Sequence, residues 1–381
     1  MKIGIEGIPF FGNRSGVGQY AKRLTETMAS LEKSPQIQII RPLMPHRKLQ
    51  ETPIKPSKNL SYRVVRWMPP ILYYQLFKRT GWAPPYDLVA LRKYDAMLFF
   101  NFVAFPVRKK TPSYIFIYDL SYIHHKEFTS PKNQAWVEKF VPRSIKQARK
   151  IITISENSKQ EIIDYYNVSP GDIDIVYPAV DHKEYQPQTK QKVSAVKAKF
   201  GINKPYILSV CTLEPRKNLI GVLNAFDKLP EELKRKYALV LAGGKGWLDG
   251  ELEKKYGELE KKYTIIKTGY VDDSDLPPLY SGADLFVYPA FYEGFGMPPL
   301  EAMACGTPVI TANNSSLPEV VGNAAITIEA SDTIALAKQA ERVLTDPKLS
   351  QELSKKGLVQ ANKFDWQESA EKLLKIIEET I

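Results

Sequence analysis

Apolar runs of strand length alternate with helix-length amphipathic stretches along most of the chain. In the N-terminal half, runs at 2–6, 36–40, 96–100, 113–118 and 151–154 read as strands. Helices are expected from about Gly18, over 132–148 and over 156–166, the last with Ser155 as its N-cap. Residues 186–199 are polar and poor in large apolar side chains, and read as a linker plus a first helix. The alternation then restarts, with strands at 206–211, 238–242, 264–267, 285–288 and 308–311. From Asp332 onward the pattern is helical, ending at 366–379. Repeated strand–helix units imply a parallel sheet covered on both faces. Two such series predict an α/β protein of two doubly wound, Rossmann-like domains, 1–185 and 186–364. Ligands of doubly wound sheets bind beyond the carboxyl ends of the strands. A cleft between two facing domains is therefore the expected site.

Composition narrows the class without naming a chemistry. Apolar residues make up 44% and charged residues 25% of 381 positions, as in a globular protein. The two cysteines, Cys211 and Cys305, match no metal or redox spacing and read as free thiols in a reducing compartment. Glu6 interrupts the first apolar run, so no signal peptide is read there. The longest apolar stretch, 97–107, is too short to span a bilayer, and a cytoplasmic protein is expected. Of the net charge of +11, residues 1–180 contribute 27 Lys and Arg against 14 Asp and Glu, or +13. The remaining residues contribute 26 against 28, or −2. The basic half suggests an anionic partner: a membrane surface, a phosphorylated acceptor or nucleic acid.

The richest chemistry lies at strand exits. The run 288–310 (YPAFYEGFGMPPLEAMACGTPVI) leaves a strand, turns tightly at 293–296, and enters a helix with Pro298 and Pro299 in its first turn. That helix should run to about Ala304, with Gly306 as its stop. Glu293 is thereby flanked by glycine at a strand exit, beside two backbone N–H groups of a helix N-terminus suited to a diphosphate or a sugar hydroxyl. Glu301 lies about a turn into the helix, within reach of a ribose diol; a plain dipole partner is the simpler alternative. The run 212–218 (TLEPRKN) places Arg216 and Lys217 at the start of the next helix, where cations oppose the dipole unless an anion is shared. A solvated pair on a surface turn is the alternative. The glycine loop 13–20 (NRSGVGQY) lacks dinucleotide-binding spacing, but Gly16 could let backbone approach a ligand. The run 118–125 (YDLSYIHH) gathers Tyr118, Asp119, His124 and His125, any of which could orient an acceptor hydroxyl or move a proton. Asp172 and Asp174 have a metal-binding form but stand at a short strand, and 272–275 reads as an acidic helix start. Residues 63–82 interleave basic and aromatic side chains, which suits a membrane interface, single-stranded nucleic acid, or a core strand plus helix.

As a set, these runs resemble the retaining glycosyltransferase family 4. The match is carried by Gly16-Val-Gly-x-Tyr20, Asp119-Leu-Ser-x-x-His-His125, Ser155-Glu156, Tyr177-Pro-Ala-Val-Asp181, Glu214-Pro-Arg-Lys-Asn218 and Phe295-Gly-Met-Pro-Pro-Leu-Glu301, all in the family's order. The resemblance implies the glycosyltransferase-B fold, with the terminal helix 365–381 crossing back onto the first domain. It implies that Arg216 and Lys217 hold a donor diphosphate and that Glu301 binds the ribose. Glu293, Gly294, Phe295 and Gly296 would contact the donor sugar, and Thr212 and Val271 would complete the donor site. Asp119 would join Glu293, Arg216 and Lys217 in catalysis, and Gly16, Tyr118 and His124 would face the acceptor. The nearest subgroup in pattern is the bacterial mannosyltransferases of surface-polysaccharide assembly, which use GDP-mannose. No metal and no other cofactor is implied, nor is nucleic acid a partner; a glycan or lipid-linked acceptor and peripheral contact with an anionic membrane face are. A UDP-sugar donor and a nucleotide-sugar-binding protein with weakened turnover remain alternatives. The family's usual histidine is Tyr118 here, its usual glycine before Thr212 is Cys211, and Ala179 replaces another glycine.

Overall fold

The computed structural model describes residues 1–10, 16–42, 54–126, 131–244 and 250–381. The chain forms two compact units, residues 1–178 with 366–381, and residues 179–365. The passage between units falls at Pro178/Ala179, earlier than the position 185 read from the polar linker. Residues 181–188 already pack forward: Tyr185 lies 6.4 Å from the Tyr280 ring, and the Gln188 N–H donates to Ser281 Oγ at 3.1 Å.

The first unit carries seven parallel strands: β1 (Lys2–Glu6), β2 (Gln36–Pro42), β3 (Leu60–Val65), β4 (Ala96–Phe99), β5 (Ser113–Phe116), β6 (Lys150–Thr153) and β7 (Ile173–Ile175). Their order is β3-β2-β1-β4-β5-β6-β7, so the winding reverses between β1 and β4. The second unit carries β8 (Tyr206–Val210), β9 (Ala238–Ala242), β10 (Ile265–Gly269), β11 (Leu285–Tyr288), β12 (Val309–Ala312) and β13 (Ile326–Ile328). Their order is β10-β9-β8-β11-β12-β13, reversing between β8 and β11. Every residue of β4, β5, β9, β11 and β12 is buried, as expected of parallel strands covered on both faces. The register at the second switch point pairs Leu285 with Ile207 and Phe286 with Leu208, so β8 and β11 end side by side.

Helices close these sheets where the apolar periodicity placed them. Ser155 caps the helix Glu156–Tyr166, its hydroxyl oxygen accepting the Ser158 N–H at 3.0 Å. The terminal helix Trp366–Thr380 belongs to the first unit. It buries Ala370, Leu373 and Ile377 completely, each large aliphatic contributing about 1.5–3 kcal/mol. Ser369 Oγ donates to the Tyr177 carbonyl at 2.7 Å and Trp366 packs 5.7 Å from Tyr20. Within the basic-aromatic stretch, β3 and the helix Pro70–Thr80 supply core: Tyr73 and Phe77 pack on Phe105 at 5.5 and 5.1 Å.

Candidate functional site

The residues of greatest chemical interest converge at the exits of β8 and β11. After β8 the chain makes a 3-10 turn, Pro215–Lys217, and Asn218 then takes a left-handed conformation with φ 55° and ψ 42°. Asn218 Oδ1 accepts the Gly221 N–H at 3.1 Å and so caps the helix Leu219–Asp227. Its Nδ2 donates to the carbonyls of Pro289 at 3.1 Å and Ala330 at 2.7 Å, and the Phe291 N–H donates to the Arg216 carbonyl at 2.9 Å. The turn is thus bolted to the segment after β11. Arg216 and Lys217 stand at the mouth of that helix, directly before its N-cap Asn218. Their side chains point inward, 18% and 10% exposed.

The anion they share is Glu293. Lys217 Nζ donates to Glu293 Oε1, Arg216 Nη1 lies 3.1 Å from the same oxygen, and the Tyr288 hydroxyl donates to it at 2.7 Å. Lys217 Nζ also donates to the Tyr288 hydroxyl at 3.0 Å, and Arg216 Nη1 to the Tyr292 carbonyl at 2.6 Å. Glu214 stands 3.8 Å from Arg216 Nε. Burial alone would raise the Glu293 pKa; the charges of Lys217 and then Arg216 outweigh it and hold the carboxyl down, to about 2. Glu293 is therefore an anion throughout the neutral range. Ser315 Oγ accepts the Glu293 N–H at 3.0 Å, and Ser316 Oγ donates at 2.8 Å to the carbonyls of Glu293 and Phe295.

Gly294, Phe295 and Gly296 are buried beside this cluster, and Phe295 meets Phe364 edge-on at 5.5 Å. Gly296 has φ 109°, and a Cβ there would fall 2.7 Å from Leu317 Cδ2, so only glycine fits. It precedes the helix Met297–Ala304, and Gly306 follows with φ 79°. The first turn of that helix offers fewer N–H donors than a helix start normally does. Pro298 and Pro299 have none, so the N–H groups at its mouth come from Gly296 and Met297. Glu301 sits a turn further on, partly exposed, and Oε2 accepts the Tyr280 hydroxyl at 2.8 Å. Burial pushes its carboxyl up to about 7, while hydrogen bonds from Tyr280 and Tyr185 pull it down and Asp273 adds to the rise. Thr212 is exposed in the turn after β8; Val271, beyond β10, is 5% exposed.

The first unit is less faithful to expectation. Tyr118 does not offer its phenol to an acceptor: the ring is 5% exposed and its hydroxyl donates to the Phe100 carbonyl at 2.8 Å. Tyr20 packs on it at 5.5 Å and Phe102 at 5.4 Å. Asp119 Oδ1 accepts the N–H of Ser121 at 3.0 Å and its hydroxyl at 2.7 Å, which fixes the start of the short helix Ser121–His124. His124 is exposed at that helix's end, 6.4 Å from Tyr165. Gly16 opens the helix Gly16–Ser30 in open space; residues 13–15 of its loop lie outside the described residues. Among the described residues, no three His, Cys, Asp or Glu side chains gather into a cation site, and Asp174 pairs with Lys150 at 3.1 Å. Asp275 precedes the helix Leu276–Ser281 and pairs with Lys199 at 2.5 Å.

Sequence reasoning missed Tyr288, Tyr280, Tyr185, Ser315 and Ser316. For the three tyrosines, only a phenol's need for a partner when buried could have flagged them.

A family model described as "Glycosyltransferase Family 4" matches residues 14–184, and one described as "Glycosyl transferases group 1" matches residues 192–360. O-antigen chain mannosyltransferase B of Escherichia coli is 37% identical over 251 residues, 66% of this chain and 66% of that protein. Serotype-specific mannosyltransferase WbdA of Escherichia coli is 33% identical over 59% of this chain and 28% of its own length. The chain thus spans about two thirds of one relative and little more than a quarter of the other. The crystal structure of Anabaena Alr3699/HepE in complex with UDP and glucose is similar with a TM-score of 0.74 at 16% identity, over 99% of both chains.

Proposed function

The chain belongs to the family 4 glycosyltransferases and has their glycosyltransferase-B fold, and from that premise we propose that it transfers a hexosyl group, with retention, from a nucleoside-diphosphate sugar to a glycan or lipid-linked saccharide in surface-polysaccharide assembly. The observation that carries the reading is the pair of inward-facing cations, Arg216 and Lys217, held by one carboxylate at the switch point of the second sheet.

Transfer breaks the bond between the anomeric carbon and the donor's diphosphate oxygen, and the electron pair leaves with the diphosphate. Arg216 and Lys217 would stabilise that developing charge in a site of low dielectric, a role electrostatics can fill without a metal. Their present partner, Glu293, is then released to the hydroxyls of the donor sugar. As a carboxylate of depressed pKa it cannot supply a proton at neutral pH, so it orients rather than titrates. On the retaining, front-side path, the departing phosphate oxygen takes the acceptor hydroxyl's proton as the new glycosidic bond forms. No second carboxylate placed as a nucleophile is required, unlike in a hydrolase. Glu301 would accept from the ribose diol, with Tyr280 and Tyr185 holding it in place. Mannose is the proposed sugar because two relatives are named mannosyltransferases; UDP-glucose is the second candidate, because HepE binds UDP and glucose.

The first unit would supply the acceptor through Asp119, His124 and Gly16, and its positive charge would draw the enzyme to an anionic cytoplasmic membrane face. No helix among the described residues is long and apolar enough to cross a membrane. The reading is tested by incubating the protein with GDP-mannose, UDP-glucose and ADP-glucose and an oligosaccharide acceptor, with and without EDTA. Transfer from GDP-mannose, unaffected by the chelator, with an axial anomeric product by NMR, is expected. Transfer with inversion, or none from any donor, would contradict it.

A further inference from the structure

Thirteen large apolar side chains stand exposed among the described residues, and six fall within residues 67–91: Trp67, Ile71, Leu72, Trp82, Leu88 and Leu91. That density in a 25-residue span exceeds the single scattered apolar residues of an ordinary surface, and concentrated exposed apolar area marks a partner. The helix Pro70–Thr80 shows the anomaly best. Its inner side chains Tyr73 and Phe77 are buried, as core packing demands, yet Ile71 and Leu72 on the other side are 63% and 59% exposed. A surface helix normally turns polar residues outward.

The neighbouring structure is built around a hollow. β3 is the edge of its sheet. Arg63 Nε donates to the Ala90 carbonyl at 3.0 Å, and Trp67 Nε1 donates to the Val89 carbonyl at 2.8 Å. Between these two ties lies a cavity of about 460 Å³, lined by Tyr62, Arg63, Arg66, Trp67, Ala90 and Leu91. Leu91 holds φ 52°, a conformation that costs a branched side chain about 1 kcal/mol or more, and keeps that side chain exposed. Residues 54–95 carry eight Lys and Arg against two Asp. One of those two, Asp87, is fully buried and paired with Arg108 at 2.7 Å, so it offsets nothing outside.

We infer that this face is a bilayer-docking surface, with the phosphate of an anionic phospholipid seated in the cavity beside Arg63 and Arg66 and with Trp67, Ile71, Leu72 and Leu91 in the headgroup layer. It deepens the proposed membrane contact by naming the surface and its partner. Aliphatic side chains interleaved with cations and an indole fit the headgroup boundary. They fit a glycan or a single strand of nucleic acid less well, since Ile71, Leu72, Leu88 and Leu91 have no ring to stack on a sugar or a base.

The test is co-sedimentation with vesicles of phosphatidylcholine alone, or of equal parts phosphatidylcholine and phosphatidylglycerol. Three double variants of exposed or half-exposed residues accompany the parent: Arg63→Gln with Arg66→Gln, Ile71→Ser with Leu72→Ser, and, as an equal loss of charge in the second unit, Lys254→Gln with Lys261→Gln. The parent should bind the anionic vesicles only, and salt should release it. The arginine pair should weaken binding by roughly thirtyfold, from about a fivefold loss per cation. The isoleucine-leucine pair should weaken it comparably, and the control pair should change it little. The tryptophan emission shift on binding should shrink in Trp67→Phe. Binding that survives both variant pairs, no binding by the parent, or a loss seen only with a soluble polysaccharide or an oligonucleotide would overturn the inference. Transfer to a water-soluble oligosaccharide by the same proteins separates the two readings. If it is normal while vesicles fail to bind, docking is wrong and transfer stands; if it is absent throughout, the function fails while sedimentation still decides docking.

Discussion

The two units share a winding but treat a carboxylate at a strand exit in opposite ways. In the second unit Glu293 is 8% exposed and its pKa is held down to about 2, because Lys217 and Arg216 face it. In the first unit Glu6 ends β1 and is 3% exposed; burial pushes it up to about 8, and the Ile8 N–H at 2.8 Å pulls back only in part. Among the described residues no cation pairs with Glu6. The doubly wound topology therefore supplies a location, and the side chains brought to it decide whether it becomes an ionised site or a neutral piece of core. The charge asymmetry along the sequence points the other way: among the described residues the basic half shows no such compact ion cluster, and the near-neutral half contains it.

The sharpest way to break the comparison is to remove one cation. Lys217→Ala leaves Glu293 buried with Arg216 alone and should cost about 3 kcal/mol of stability, read by urea denaturation. A loss below about 1 kcal/mol would mean that water already solvates the cluster. The next effect is a pH slope. The raised pKa of Glu6 means that folding favours its protonated form, so its contribution is intact below about 4.5 and is lost as pH rises through about 8. Glu6→Gln should remove that slope, gaining stability over the parent by about 2 kcal/mol between pH 5 and 8; parallel curves would show that Glu6 finds a counter-charge. Glu293 has the reverse sign: its stabilisation holds at neutral pH and fades only as pH falls below about 4.5 toward 2.

Smaller again is Tyr288→Phe, which removes the hydroxyl shared by Lys217 and Glu293 without changing charge. A loss of about 1–2 kcal/mol is expected, with the donor's dissociation constant rising and the unit remaining folded by circular dichroism. The mildest effect concerns Glu301. If its carboxylate accepts from the donor's ribose, affinity should rise by about fivefold as pH passes upward through about 7, since charge-assisted hydrogen bonds are the stronger kind. A flat profile by calorimetry would leave Glu301 without that role.

Most of this was legible because strand exits are legible. β1, β9 and β11 fall on the residues that apolar runs predict, and Glu293, Arg216 and Lys217 stand out as charges next to glycine, proline and a strand end. What was hidden has physical reasons. β3 was legible only as one of several readings of 63–82, because it is an edge strand with Ser61 exposed and Arg63 half-exposed. β13, three residues long with Thr327 exposed, gives no alternation to read. Tyr118 misled because a phenol beside Asp119 and two histidines looks like a polar cluster, whereas its ring prefers the core and its hydroxyl finds a carbonyl there. The pair Pro298 and Pro299 announced a helix start correctly while removing two of the donors such a start normally offers. Ser315 and Ser316 act on residues 22 and 23 positions earlier, a relation that no local pattern contains.

The central claim is that Arg216 and Lys217 receive the donor's diphosphate. The direct measurement is calorimetric titration of the parent and Lys217→Ala with GDP and guanosine, and with UDP and uridine. For whichever base binds, the parent should prefer the diphosphate over the nucleoside, and the variant should lose about 1.5–3 kcal/mol of that preference while its affinity for the nucleoside stays the same. An undiminished preference in the variant would contradict the account.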